Sequence, residues 1–289
     1  MIEKTSFLPL LLILLAVPFL RESMPPWAFM WIYAFSIFAG FKWLSYQGAV
    51  ASGMKPTPFR SLAYLFLWPG MNAKTFLDSW RKPNKPQATS WLLAALTTSL
   101  GAFLLWGIAP RIPQSNPLLL GWVGLFGLIL LLHFGSFHLI ALAWQSMGIE
   151  ATPIMRSPLL ANSLADFWSN RWNLGFRQLT HDFMFTPLQR SVGARLATFT
   201  SFLVSGIIHE LIISFPARGG YGLPTSYFAL QGIGVFLERS PFGKHLGLGH
   251  GPLGRIYTIV MTGGPLFWLF HPFFIIRVML PFMRVIGAN

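Results

Sequence analysis

The chain has 289 residues, 54% of them apolar and 10% charged, with a formal net charge of +13 and no cysteine. Globular domains carry about a quarter charged residues, so this composition excludes a water-soluble fold and turns the apolar surface toward lipid. The lack of thiols excludes disulfides, thiolate metal sites and a cysteine acyl-enzyme together.

In chain order, the apolar residues fall in blocks close to the ~20 residues needed to cross a hydrocarbon core. The first runs from about Thr5 to Leu20 and the second from Pro25 to about Gly48. Lys4 ahead of the first block imitates a secretory leader, but Arg21-Glu22 follows with no small-x-small cleavage site, so the block is read as a span. Ser61–Met71 (SLAYLFLWPGM) is apolar, too short to cross and interrupted by Pro69-Gly70, which predicts a re-entrant or interfacial segment. Further spans are expected over Trp91–Ala109, Leu118–Trp144, Leu196–Phe215, Gly222–Leu237 and Ile256–Ile276, about seven in all. The expected fold is an all-α integral membrane protein, a multi-span helical bundle. With no repeat of fixed period and no low-complexity tract, residues 1–289 read as one polytopic domain whose motif-bearing core is 157–238.

Basic residues concentrate in two stretches. Residues 49–89 carry Lys55, Arg60, Lys74, Arg81, Lys82 and Lys85 against Asp78, and residues 147–195 carry Arg156, Arg171, Arg177, Arg190 and Arg195. The connections at 21–24, 110–117 and 216–221 hold a single Arg each. The positive-inside rule therefore places both long basic stretches on the cytoplasmic side. Attraction to anionic membrane lipid accounts for the net charge, and without a soluble basic domain no nucleic-acid partner is expected.

Ionisable residues deep in a span are expensive, so they are functional candidates. On the fifth span, Thr198, Ser201, Ser205 and His209 recur at helical spacing and form one polar ribbon, with Glu210 beside it. Such a ribbon lines a wet cavity or joins helices. Tyr227, Gln231, Gly234 and Glu238 make a polar and small face on the sixth span, with the same two readings open. In the second basic stretch, Ser163-x-x-Asp166 has capping-box spacing and opens an expected amphipathic helix at the cytoplasmic membrane surface. Leu164, Trp168, Trp172, Gly175, Phe176 and Leu179 form its apolar stripe; Asp166, Asn170, Asn173 and Arg177 form its polar one. The histidines are scattered, with none of the i, i+3 or i, i+4 pairs that membrane di-iron sites use, so no metal site is expected. Nor do two halves with matching broken helices, the mark of many transporters and flippases, show in the chain.

Ser163–Asn173 (SLADFWSNRWN), followed about thirty residues later by Phe202–Ile212 (FLVSGIIHELI), resembles the plant-type wax synthases of the membrane-bound O-acyltransferase (MBOAT) superfamily. Those proteins carry S-L-x-D-F-W-x-x-R-W-N ahead of a span with S-G-x-x-H-E, and sterol and diacylglycerol acyltransferases have a related F-W-x-x-W-N element. The resemblance is clearest over about 157–238. It implies acyl transfer from acyl-CoA to the hydroxyl of a hydrophobic, lipid-like alcohol, with acyl-CoA as co-substrate and no resident cofactor. A sugar or other polar alcohol is an alternative acceptor. By this resemblance His209 is the catalytic base and Asn173 its polar partner, while Phe167, Trp168, Arg171 and Trp172 shape the cytoplasmic mouth. Arg171, Arg177 and Arg190 are candidate phosphate contacts, although the positive-inside rule alone accounts for basic residues there. Ser205, Gln231 and Glu238 complete the expected substrate-binding set.

Overall fold

A computed structural model describes residues 4–289 and is helical throughout, with no strand among the described residues. The helices are α1 (Thr5–Ser23), α2 (Pro26–Ala51), α3 (58–67), α4 (Ala73–Leu77), α5 (Ala88–Arg111), α6 (Pro117–Ser146), α7 (164–171), α8 (Leu174–Ala217), α9 (Leu223–Arg239), α10 (Pro241–His245), α11 (Gly251–Leu269) and α12 (Pro272–Val285). Five of them, α1, α2, α5, α6 and α8, are long and apolar enough to cross a membrane, and α11 with α12 makes a sixth if the bent pair is one span. The chain is a multi-span helical membrane protein.

The expected seven therefore becomes five or six, for two physical reasons. Helix α9 has 17 residues; at 1.5 Å per residue that is about 25 Å, short of the roughly 30 Å hydrocarbon core. The expected last span breaks where His271 turns extended before Pro272, and its halves meet at 55°. Helices α2, α6 and α10 each begin with proline, whose missing N–H costs nothing at a helix start.

Contacts divide the chain into two compact units, one of residues up to Ile154 with Met279–Asn289, the other Met155–Val278. In the first, α3 ends at the extended Trp68 before Pro69-Gly70. Tyr64, Trp68, Phe76 and Trp144 pack there as an aromatic core, with Trp68 stacked on Phe76 and Trp144 edge-on to it. Lys42 of α2, 1% exposed, donates to the Gly70 carbonyl and lies 3.6 Å from the Tyr64 ring centroid. On α1, Leu15 and Phe19 are 68% and 87% exposed, as lipid-facing side chains should be.

In the second unit the expected surface helix is in two pieces. Ser163 does cap it, accepting from the Asp166 N–H at 2.9 Å. After one α-turn, however, the chain widens into a π-turn over Phe167–Arg171 and stops at Asn173, which takes a left-handed conformation (φ 41°) that asparagine tolerates better than most residues. Helix α8 then starts, with the Asn173 Oδ1 accepting from the Phe176 N–H at 3.2 Å. It is itself broken at Gly193 (φ 80°, ψ 161°), a backbone region essentially reserved for glycine. As a straight rod, α8 would hold Phe176 and His209 about 50 Å apart at 1.5 Å per residue. The break instead lets residues on both sides of Gly193 line one cavity.

Candidate active site

That cavity, about 390 Å³, lies wholly within the second unit. Its walls come from α7 (Ala165, Trp168, Ser169), the junction Trp172-Asn173, the first arm of α8 (Phe176, Arg177, His181), the second arm (Thr198, Ser201, Phe202, Ser205, His209) and α9 (Phe228, Arg239). The polar ribbon of the fifth span thus faces the cavity. Each of its hydroxyls donates to the carbonyl four residues earlier: Thr198 to Ala194, Ser201 to Ala197 and Ser205 to Ser201, at 2.8 to 2.9 Å. Their oxygens remain free to accept.

His209 ends the ribbon, and a π-turn over Glu210–Ser214 follows it at once. Its Nδ1 lies 2.6 Å from the Ser205 carbonyl oxygen. A carbonyl can only accept, so Nδ1 carries the hydrogen, and in the neutral ring Nε2 then holds a lone pair. The Phe228 ring sits 4.5 Å from the imidazole, centroid to centroid, and packs against it. Asn173 lines the same cavity; since its Oδ1 is engaged as the α8 cap, its Nδ2 hydrogens are available as donors. The site so combines an acceptor nitrogen and a neutral donor among both aromatic and polar walls. His271 is the counter-example. Its Nδ1 accepts from the Phe274 N–H and its Nε2 lies 3.2 Å from the Ser214 hydroxyl, so neither nitrogen is left for chemistry.

Of the residues expected from sequence, His209, Asn173, Trp168, Trp172, Arg177 and Ser205 come together on the cavity. Phe167, Arg171, Arg190, Gln231 and Glu238 do not line it. Phe167 is buried behind the wall, stacked on Trp172 at 5.5 Å. Arg171 is held by Asp166 at 2.5 Å and donates to the Ser157 carbonyl at 3.2 Å. Gln231 accepts from the Trp168 indole N–H at 3.3 Å and donates to the Met261 carbonyl at 2.7 Å. Glu238 turns its carboxylate onto the backbone N–H groups of Leu164 and Ala165, at 2.5 and 3.4 Å. Sequence reasoning missed Phe228 and Arg239. Phe228 is one position off the polar face of α9, and Arg239 has the look of an ordinary helix-end cation. Among the described residues, neither Arg177 nor Arg239 forms an ion pair, although Arg177 donates to the Gln178 Oε1 at 3.4 Å and the Arg239 charge acts on the neighbouring Glu238.

The close approach of α9 to α8 depends on Gly206, three residues before His209. A Cβ there would lie 2.7 Å from the Thr225 Cα. The Glu210 Oε1 completes the junction, accepting from both the N–H and the hydroxyl of Thr225 at 3.0 Å in the first turn of α9.

Residues 151–230 match the sequence profile of the membrane bound O-acyl transferase family. The similar proteins include three of Arabidopsis thaliana. A "Probable long-chain-alcohol O-fatty-acyltransferase 3" is 29% identical over 170 residues, 50% of this chain and 49% of that protein. The protein numbered 6 in the same naming series is 28% identical over 207 residues, 66% of this chain and 59% of its own length. The one numbered 1 is 38% identical over 101 residues, 32% and 30% of the two chains. The chain spans about half the length of the curated relatives it matches.

Proposed function

We propose that this chain is a membrane-embedded O-acyltransferase that moves a fatty acyl group from acyl-CoA to the hydroxyl of a lipid-like alcohol. The observation that carries the reading is the 2.6 Å contact of His209 Nδ1 with the Ser205 carbonyl, which in the neutral ring leaves Nε2 as the acceptor, on a residue that lines the same cavity as Asn173. The names of the similar plant proteins support the reaction class.

In this mechanism the alcohol O–H gives its proton to the His209 Nε2 as its oxygen attacks the thioester carbonyl carbon. The Asn173 Nδ2–H stabilises the oxyanion that forms. On collapse the C–S bond breaks, and the thiolate takes the proton back from Nε2, which restores the neutral imidazole. Because the Ser205 carbonyl already orients His209, Asn173 is assigned to the oxyanion and not to orienting the ring. Aromatic walls limit water, which would otherwise compete as acceptor. Arg177 and Arg239, which line the cavity and form no ion pair among the described residues, are assigned to the phosphates of the CoA head. We assign both basic stretches, 49–89 and 147–195, to the cytoplasmic side, where acyl-CoA is met.

The test is purified protein in lipid nanodiscs given labelled palmitoyl-CoA with long-chain alcohols, sterols, diacylglycerols or sugars. A long-chain ester is expected, and His209→Ala should lose about 10²–10⁴-fold in its rate of formation, the usual contribution of a general base. A sugar ester would move the acceptor class to polar alcohols. No acyl product from any acceptor, or a His209→Ala protein with more than about a tenth of wild-type activity, would overturn the assignment.

A further inference from the structure

The segment carrying Trp168, Trp172 and Asn173 has little rigidity of its own. Ser163 is extended, one α-turn follows, then a π-turn, then the left-handed Asn173. A single helical turn fixes several backbone angles for one internal hydrogen bond, so it needs support from outside. The segment before it gives some, through the Arg156 N–H on the Arg171 carbonyl at 2.8 Å and the Asn173 N–H on the Met155 sulfur at 3.3 Å, and α9 gives more at the start of the helical turn. The Glu238 carboxylate accepts from the Leu164 and Ala165 N–H groups, which sit in the first turn of α7 and have no helical partner there. Seven residues earlier and two turns along the same face, Gln231 accepts from the Trp168 indole. Three residues before that, Phe228 lies on His209. The same helix is tied to the His209 helix at its start through Glu210 and Thr225. Over about 15 Å, then, α9 touches first the base and then the segment that bears its polar partner.

Resting on the acyl-transfer reading above, we propose that Glu238 is a positioning residue: from the far end of α9 its carboxylate holds the Asn173-bearing segment in register with His209. It contacts neither substrate nor reacting atoms. A carboxylate suits the task because it offers two acceptor oxygens to two adjacent N–H donors; a carboxamide would turn its NH₂ against one of them. A catalytic partner displaced by about 1 Å costs about 10²-fold in rate, so the expected signature lies in turnover and not in binding.

The experiment compares wild type with Glu238→Gln, in nanodiscs, by two measurements. Hydrogen exchange of peptides covering 160–172 needs no substrate, so it reads the proposal independently of the reaction. The Leu164 and Ala165 amides should exchange at least about tenfold faster in the variant, with the rest of the chain unchanged. Kinetics with palmitoyl-CoA should show kcat down about 10- to 100-fold and KM within about threefold. Unchanged exchange at those amides overturns the proposal, as does loss of protection throughout the chain, which would make Glu238 a general stabiliser. So does a raised KM with kcat intact, the mark of a substrate contact, or a local exchange change with normal turnover. Wild type that makes no ester overturns the acyl-transfer reading instead and leaves the exchange result to decide whether Glu238 holds the segment.

Discussion

Each unit buries polar groups among apolar helices, but one cluster is closed and the other open. In the first unit Lys42 is bonded to the Gly70 carbonyl and lies over Tyr64, while Ser45 joins the Lys42 carbonyl at 2.9 Å to the Tyr64 hydroxyl at 2.6 Å. None of these residues lines the cavity. In the second, His209 and Asn173 each use one side-chain atom on the backbone, and both residues line the cavity. Both clusters meet the rule that ionisable residues in spans are rare and costly. Depth alone therefore does not mark a site. What distinguishes the second cluster is hydrogen-bonding capacity that the fold leaves unused and aims at a space large enough for a substrate.

The comparison breaks most visibly if the open cluster does not act as a unit. Asn173→Ala is expected to reduce ester formation about 10²–10³-fold, as loss of an oxyanion donor does. Combined with His209→Ala, it should add little to the larger single loss, since groups serving one transition state are strongly non-additive. Asn173→Asp should be nearly as poor as alanine, because an ionised carboxylate keeps the Phe176 cap but donates nothing. Losses that simply add, measured as initial rates on equal amounts of folded protein, would reduce the site to His209 alone.

A smaller effect tests which cations face the cavity. Arg177→Gln and Arg239→Gln should each raise the KM for palmitoyl-CoA about tenfold with kcat unchanged, the loss of one charge-assisted contact of about 1.5–3 kcal/mol or less in a partly wet site. Arg171→Gln should not, because Arg171 is already held by Asp166 and the Ser157 carbonyl. The reverse ranking would move the acyl-donor head to the other side of the Trp172 junction.

These expectations differ in how far the sequence announces them. The spans are legible because about twenty apolar residues admit few other readings, and the ribbon from Thr198 to His209 is legible because helical spacing puts those residues on one face. The break at Asn173 is not: the apolar stripe from Leu164 to Leu179 continues through it, and only the left-handed backbone there cuts the helix in two. Gly193 is hidden in a different way, as one of 27 glycines with no flanking sign that it needs a positive φ. Nothing local to Glu238 indicates that it caps a helix 74 positions away. Residue periodicity reports faces; tertiary caps and kinks decide what those faces meet.

The closed cluster gives the complementary test. Lys42→Met keeps most of the buried volume but leaves the Gly70 carbonyl without its donor, a loss of about 1–3 kcal/mol for an unsatisfied buried acceptor. The expected result is a lower midpoint of thermal unfolding with turnover per folded molecule within about twofold of wild type. A loss of turnover comparable to that of His209→Ala, with the unfolding midpoint unchanged, would make Lys42 functional and remove the distinction between closed and open clusters.

The smallest effect concerns the rim of the open cluster, where Asp166 pairs with Arg171 and both side chains are about a quarter exposed, at 26% and 24%. Partial burial pushes the Asp166 carboxyl up, but hydrogen bonds from Arg171 and Asn170 and the Arg171 charge outweigh it and hold the group below its usual value. A carboxyl depressed in the folded state contributes stability above its unfolded value, near pH 4, and loses that contribution as pH falls through the folded value. The gap in unfolding midpoint between wild type and Asp166→Asn should therefore be constant from pH 7 to 5 and shrink below about pH 4. The stability difference behind that gap should be under about 1 kcal/mol, because an ion pair this exposed is screened by water. The KM for palmitoyl-CoA should not move. A KM lowered by Asp166→Asn would mean that the released Arg171 reaches the acyl donor, and would place that arginine among the groups that face the cavity.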